Sequence, residues 1–216
     1  MILKNLKKRI ITSLVLLFLV FLIIKFDSIL ILSLIIFGVL SIIEFFNITQ
    51  RIFKNSLLKL VSNIFFSIFI FIFCFMFFFF SNFFQLKIIV YILLLGCIAS
   101  DIGGFVFGKT FKGPKLTKIS PNKTIAGVFG SIIFTIISIT ILAFYFTKTF
   151  DYKFLIIAFI TSVSCQIGDL IFSFLKRKAK IKDTGNFLPG HGGILDRLDG
   201  IFLGIPVSFY FITLIF

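Results

Sequence analysis

Two stretches of this 216-residue chain hold residue types that could do chemistry. The one at 164–200 contains Asp169, Asp183, Asp196 and Asp199, the single histidine His191, and the basic residues Lys176, Arg177, Lys178, Lys180, Lys182 and Arg197. The one at 100–124 contains Asp101 beside Gly103 and Gly104, then Lys109, Lys112, Lys115, Lys118, Ser120 and Lys123. Asp196 and Asp199 are three positions apart, which aligns both carboxylates on one face if they open a helix. With Asp169 arriving from a neighbouring span at the same depth, such carboxylates suit a hard cation such as Mg2+, above all one shared with substrate phosphates. The surrounding cations would neutralise those phosphates. Only 4 of the 22 basic residues are Arg, and Arg177 and Arg197 both fall here, where a planar guanidinium can grip phosphate at two points.

The elements that must position these groups are set by composition. With 59% hydrophobic and only 14% charged residues, the chain departs from globular usage of about 45–50% apolar and about 25% charged. A water-soluble chain of this length has no interior large enough for so much apolar surface. The expected fold is therefore all-α, a polytopic integral membrane helical bundle of about seven transmembrane helices. Apolar runs near the roughly 20 residues needed to cross a bilayer lie at about 10–24, 28–48, 57–80, 86–107, 124–147, 153–175 and 199–216. They form a single membrane domain over 1–216: N-terminal spans to residue 100, cytoplasmic-face catalytic segments over 101–200, and the last span over 199–216. The abundance of the 36 Phe follows codon bias and carries no functional weight.

The net charge of +14 would suggest nucleic acid on a soluble protein, but no nucleic-acid motif is present and the cations sit between apolar runs. In chain order they number 4, 1, 3, 1, 5, 2 and 6 around the spans. This alternation is a positive-inside signal. It places the N-terminus and the segments 49–56, 108–123 and 176–198 in the cytoplasm, with Phe216 outside. Apart from Asp27 and Asp151, which fall outside, the acids follow the same side, so any chemistry belongs at the cytoplasmic face. The basic start, Lys4 to Arg9, imitates a signal peptide; it leads to Lys25-Phe26-Asp27-Ser28 with no small-residue cleavage site, and reads as an uncleaved first span.

Acids inside spans are costly and so are functional candidates. Asp101 and Asp169, each following a long apolar run beside glycine, read as functional. Glu44 divides evenly between function and a rim residue paired with Lys or Arg of the next loop. Gly103 to Thr110 fits the expression G-x-x-x-x-G-K-T, but that motif needs a strand before it and a helix after it, and here it ends a membrane span. What survives is a glycine-permitted close approach and a lysine-rich loop facing a polyanion, against the plainer reading of a loop touching lipid head groups. His191, bracketed by Gly190 and Gly192-Gly193, reads as a ligand contact. Cys74, Cys97 and Cys165 lie scattered in apolar runs and read as buried small residues.

The run Ser173-x-x-Lys176-Arg177-x-x-x-x-Lys182-Asp183-x-Gly185-x-x-Leu188-Pro189-Gly190-His191-Gly192-Gly193-x-x-Asp196-Arg197-x-Asp199 resembles the C-terminal signature of the phosphatidate cytidylyltransferases (CDP-diacylglycerol synthases). Gly168-Asp169-Leu170, the upstream Asp101, Gly108-Lys109 and Ser120-Pro121-Asn122-Lys123-Thr124, and the opening Lys8-Arg9-Ile10-Ile11-Thr12 also look like that family. Two features depart from it. Ile125-Ala126-Gly127 stands where the family usually has an aromatic and a Glu before Gly, and the chain is shorter than typical members, so one or two N-terminal spans are expected to be missing.

The resemblance implies a Mg2+-dependent transfer, with room for a second cation, in which CTP and bilayer-embedded phosphatidate give CDP-diacylglycerol and pyrophosphate. It implies Asp169, Asp196 and Asp199 as metal-binding and catalytic carboxylates. Asp101, Lys109, Ser120, Lys123, Lys176, Arg177, Asp183, His191 and Arg197 are the expected substrate-binding residues. The expected location is the inner (cytoplasmic) membrane, multi-pass, with the active site facing the cytoplasm, no nucleic-acid partner, and a homodimer allowed. The alternative is a CTP-dependent kinase or cytidylyltransferase acting on another lipid, a polyprenol or an ether lipid; an anion transporter is a weaker rival. A CDP-alcohol phosphatidyltransferase is rejected, because no acid follows Asp196-x-x-Asp199-Gly200.

Overall fold

The computed structural model describes residues 2–117, 119–120, 123–185, 187 and 192–216, and of residues 2–11 and 13 the backbone alone. Seven helices account for nearly all of it: α1 (Ile2–Lys25), α2 (Asp27–Ile52), α3 (Ser56–Ser81), α4 (Phe84–Phe111), α5 (Ile125–Thr147), α6 (Lys153–Lys178) and α7 (Leu195–Ile215). The protein is thus all-α and polytopic. Six of these helices, α2 to α7, are long and apolar enough to cross a membrane, and α1 contributes the shorter apolar stretch Leu14–Lys25. At about 1.5 Å per residue the six are about 32 to 42 Å long, enough for a hydrocarbon core of about 30 Å. Phenylalanines such as Phe65 and Phe84 stand 74% and 78% exposed, as side chains facing lipid tails would.

The helices correspond one for one to the seven expected runs, with several ends moved: α1 starts at Ile2, α2 runs on to Ile52 and α6 to Lys178. α4 continues through the glycine-rich stretch to Phe111, and α7 begins at Leu195, so Asp196 and Asp199 both lie inside it. The G-x-x-x-x-G-K-T match is therefore helix from end to end, with no loop to cradle a phosphate.

The chain divides into two compact units. The first contains residues 1–82 and 175–198. Its α2 and α3 run antiparallel through a tight link capped by Asn55, whose Oδ1 accepts the Leu57 N–H at 2.9 Å. Phe45 stacks on Phe66 with ring centroids 3.9 Å apart, Thr49 Oγ1 donates to Asn63 Oδ1 at 2.7 Å, and Gly38 admits Cys74 and Ile70 close to its backbone. The end of α6 closes in this unit with Lys180 in the left-handed region at φ 57°. Lys180 N–H donates to Arg177 O and Ile181 N–H to Lys176 O, both at 3.0 Å, which is the hydrogen-bond pattern of a Schellman cap.

The second unit contains residues 83–174 and 199–216. Here α4 and α5 lie antiparallel and unusually close. A Cβ added to Gly103 would strike Gly130 O, one on Gly104 would sit 2.6 Å from Ser131 Oγ, and one on Gly127 2.9 Å from Gly104 O. Ser131 Oγ donates across the contact to Ser100 O at 2.8 Å. Such interhelical bonds contribute about 0.6 kcal/mol each, so dispersion between backbones brought close by glycine carries most of the association. The close approach expected of these glycines is made to α5. The link between the helices folds back on itself: Leu116 N–H donates to Lys123 O at 2.8 Å and Ile125 N–H to Pro114 O at 3.1 Å. Thr124 then caps α5 through the Gly127 N–H at 3.1 Å.

α6 and α7 cross within the same unit at another glycine pair. A Cβ on Gly168 would lie 2.5 Å from Asp199 O, and one on Gly200 2.9 Å from Asp169 Oδ1. Gly204 faces Cys97 and Cys165, and both cysteines are buried, as small apolar residues should be.

Candidate active site

In the first unit a polar cluster forms around the start of α7. Its deepest member is Glu44 of α2, 1% exposed. Glu44 Oε1 accepts the Ile194 N–H at 3.0 Å, and Oε2 accepts the Leu195 N–H at 2.9 Å and the Thr184 hydroxyl at 2.6 Å. The first amides of a helix have no intrahelical acceptor and carry the positive end of its dipole, so a carboxylate from another helix satisfies both. This corrects the rim reading of Glu44: its partners are two backbone amides and a threonine, with no Lys or Arg of 49–56 involved.

Asp196 lies one turn into the same network. Its Oδ2 accepts the Thr184 N–H at 2.8 Å and the Gly193 N–H at 3.0 Å, with the Thr184 hydroxyl 3.1 Å away. Its Oδ1 faces the Lys176 ammonium at 2.7 Å, and the two side chains are only 7% and 11% exposed. One oxygen is therefore fixed by the backbone while the other is presented to a cation. Gly192 supplies the turn at φ 86°; a Cβ there would sit 2.8 Å from Asp196 Oδ2 and 3.3 Å from the Cβ of Asp183, which places Asp183 beside this turn. The exposed Arg177 donates from Nη1 to Ile181 O at 3.2 Å, and Arg197 is exposed on the first turn of α7. His191 lies outside the described residues.

The second unit holds a matching pair. The Lys123 ammonium is 2.9 Å from Asp169 Oδ2, with side chains 30% and 18% exposed. Lys123 reaches it from the folded-back link, where Ser120 O accepts the Lys123 N–H at 3.1 Å and Ser120 N–H is bonded to Thr117 Oγ1 at 3.2 Å. Asp169 and Asp199 flank the Gly168–Gly200 crossing. Asp101 and Lys109 lie on exposed positions of α4, with the Lys109 ammonium 5.7 Å from the centroid of the Phe105 ring.

Of the expected residues, the structure thus joins Lys176 with Asp196, beside Asp183, and Lys123 with Asp169, near Asp199. Among the described residues no three His, Cys, Asp or Glu side chains gather as a ready metal cluster. Asp169 and Asp196 each turn a carboxylate oxygen, the donor type a hard cation takes, toward a lysine ammonium that occupies that position. Sequence reading missed Thr184 entirely. Its one signal was its place next to Asp183 and Gly185 in the recognised run.

A protein of this construction is a polytopic membrane protein whose polar chemistry is organised by lysine–aspartate pairs. The family model described as "Cytidylyltransferase family" matches residues 37–215, and the chain belongs to that family. It is 36% identical over 127 residues to a phosphatidate cytidylyltransferase of Mycobacterium leprae, covering 58% of this chain and 41% of that protein. It is 40% identical over 129 residues to that of Rickettsia bellii (55% and 56%), and 40% over 118 residues to that of Bacillus subtilis (54% and 44%). The chain spans about half the length of these curated relatives.

Proposed function

We propose that the protein is a phosphatidate cytidylyltransferase, which transfers CMP from CTP to phosphatidate and releases pyrophosphate in phospholipid synthesis. A phosphate oxygen of phosphatidate attacks the α-phosphorus of CTP, a new P–O bond forms, and the bond to the β-phosphate breaks. This chemistry asks the protein for charge neutralisation and positioning rather than covalent help. The observation that carries the reading is the Lys176–Asp196 pair fixed at the start of α7 by the Thr184 and Gly193 amides: a carboxylate prepared for a cation, beside a lysine able to turn to a phosphate.

Asp169, Asp196 and Asp199 are the residues that would hold Mg2+, which supplies electrostatic stabilisation of the leaving pyrophosphate when bound. Lys123, Lys176, Arg177 and Arg197 neutralise phosphate oxygens; Ser120, Lys109, Asp101, Asp183 and His191 complete the substrate contacts. The charge alternation supports a cytoplasmic N-terminus and an active site at the cytoplasmic face of the inner membrane, where soluble CTP meets a bilayer lipid.

The test supplies the detergent-solubilised protein with labelled CTP, Mg2+ and phosphatidate and extracts the lipid phase. A labelled cytidine lipid that disappears with EDTA and in Asp196→Asn is expected. Folded protein that labels a polyprenol phosphate or an ether lipid but not phosphatidate would overturn the substrate assignment.

A further inference from the structure

We propose that Glu44 is a positioning residue for the reaction, holding the Asp196 carboxylate in place through Thr184 and the first turn of α7; this rests on the function proposed above. A carboxylate 1% exposed within an apolar helix is costly unless it is well hydrogen-bonded. Glu44 accepts from Ile194, Leu195 and Thr184, and all three are neighbours of, or bonded to, Asp196. The backbone is shaped to this one side chain. A Cβ on Gly185 would lie 2.6 Å from Glu44 Oε1, and one on Gly193 would strike Thr184 Oγ1 and Glu44 Oε2.

Thr184 is the joint between the two acids. It owns one hydroxyl proton and stands 2.6 Å from Glu44 Oε2 and 3.1 Å from Asp196 Oδ2. The shorter distance assigns the proton to Glu44. That fixes the Thr184 main chain, whose N–H donates to Asp196 Oδ2 at 2.8 Å. Glu44 therefore stands to Asp196 as the supporting partner of a ligand stands to the ligand, orienting it without touching substrate.

The variants Glu44→Gln, Thr184→Val and Thr184→Ser separate positioning from bulk stability. Gln keeps the shape but turns an NH2 group toward donors, Val removes the hydroxyl at constant size, and Ser restores it. Three readouts are taken on the solubilised protein: thermal unfolding, binding of Mn2+ by electron paramagnetic resonance without substrate, and the Mg2+ concentration for half-maximal turnover. Glu44→Gln and Thr184→Val are expected to remain folded, to bind Mn2+ about 10-fold more weakly and to need about 10-fold more Mg2+, while Thr184→Ser stays close to wild type. Folded Glu44→Gln and Thr184→Val proteins with unchanged Mn2+ affinity overturn the proposal, as does a loss of Mn2+ binding that merely tracks loss of unfolding temperature and that Ser does not restore. Wild-type protein that makes no cytidine lipid, yet binds Mn2+ more tightly than Glu44→Gln, removes the assigned reaction and leaves the positioning role standing.

Discussion

The Lys176 ammonium and Asp196 Oδ1 meet at 2.7 Å with both side chains almost closed off from the surface. Removing one partner of such a pair strands the other charge, at a cost of about 3 kcal/mol or more. Asp196→Asn keeps the size of the side chain but sets an uncharged amide against the Lys176 ammonium and the Thr184 and Gly193 N–H groups. Turnover of labelled CTP into cytidine lipid is expected to fall at least about 100-fold, with the protein still inserted in the membrane fraction. A near-normal rate would show that the carboxylate charge is not used.

Lys176→Ala probes the other half. The lysine is buried against one carboxylate, and under the proposed function it turns to an anionic substrate. Its loss should chiefly raise KM for CTP or phosphatidate, about 10-fold, because it removes binding shared by ground and transition states. Lys176→Arg should not restore the wild-type value, since a planar guanidinium cannot replace a compact ammonium in this enclosed position. Unchanged KM for both substrates would exclude Lys176 from phosphate binding.

The sequence was most legible where apolar length alone decides. Seven runs became seven helices, because a span must be helical from one interface to the other. It was less legible at both polar ends of spans. The last expected run starts only at residue 199, whereas the helix itself starts at Leu195, held there by Glu44 from 151 positions away. No local pattern announces a cap supplied from such a distance. The glycines of α4 were legible as sites of close approach, but which surface approaches depends on α5 lying antiparallel beside them. Lys176, Asp169 and Asp196 stood out by residue type, whereas Thr184 drew no notice, since a lone threonine in a loop carries no signal until its two carboxylate neighbours are known.

Two glycine substitutions separate steric from conformational constraint. Gly130→Ala would push a methyl into Phe107 and to 2.5 Å from Gly103 O, overpacking the α4–α5 contact at a cost of about 2 kcal/mol. Gly113 has φ 97° with nothing within 4 Å of an added Cβ, so Gly113→Ala costs only backbone strain, about 1 kcal/mol. Thermal unfolding in detergent should rank Gly130→Ala below Gly113→Ala. The reverse order would mean that the two helices part easily at this point.

Lys180 offers a substitution in the stabilising direction. It occupies the left-handed position of the cap that ends α6, at φ 57°, where a residue with a Cβ pays about 1 kcal/mol that glycine does not. The cap is made entirely by backbone, through the Lys180 and Ile181 N–H groups, so Lys180→Gly leaves its bonds in place. The variant is therefore expected to unfold at a higher temperature than wild type. Because the cap lies four residues beyond Lys176, the same protein also reports on the loop charge. If Lys180 serves only the cap, KM for CTP and phosphatidate stays unchanged while stability rises; if its ammonium helps to gather phosphate, KM rises as stability does. A fall in unfolding temperature would show that the lysine side chain, rather than its backbone conformation, holds the end of α6.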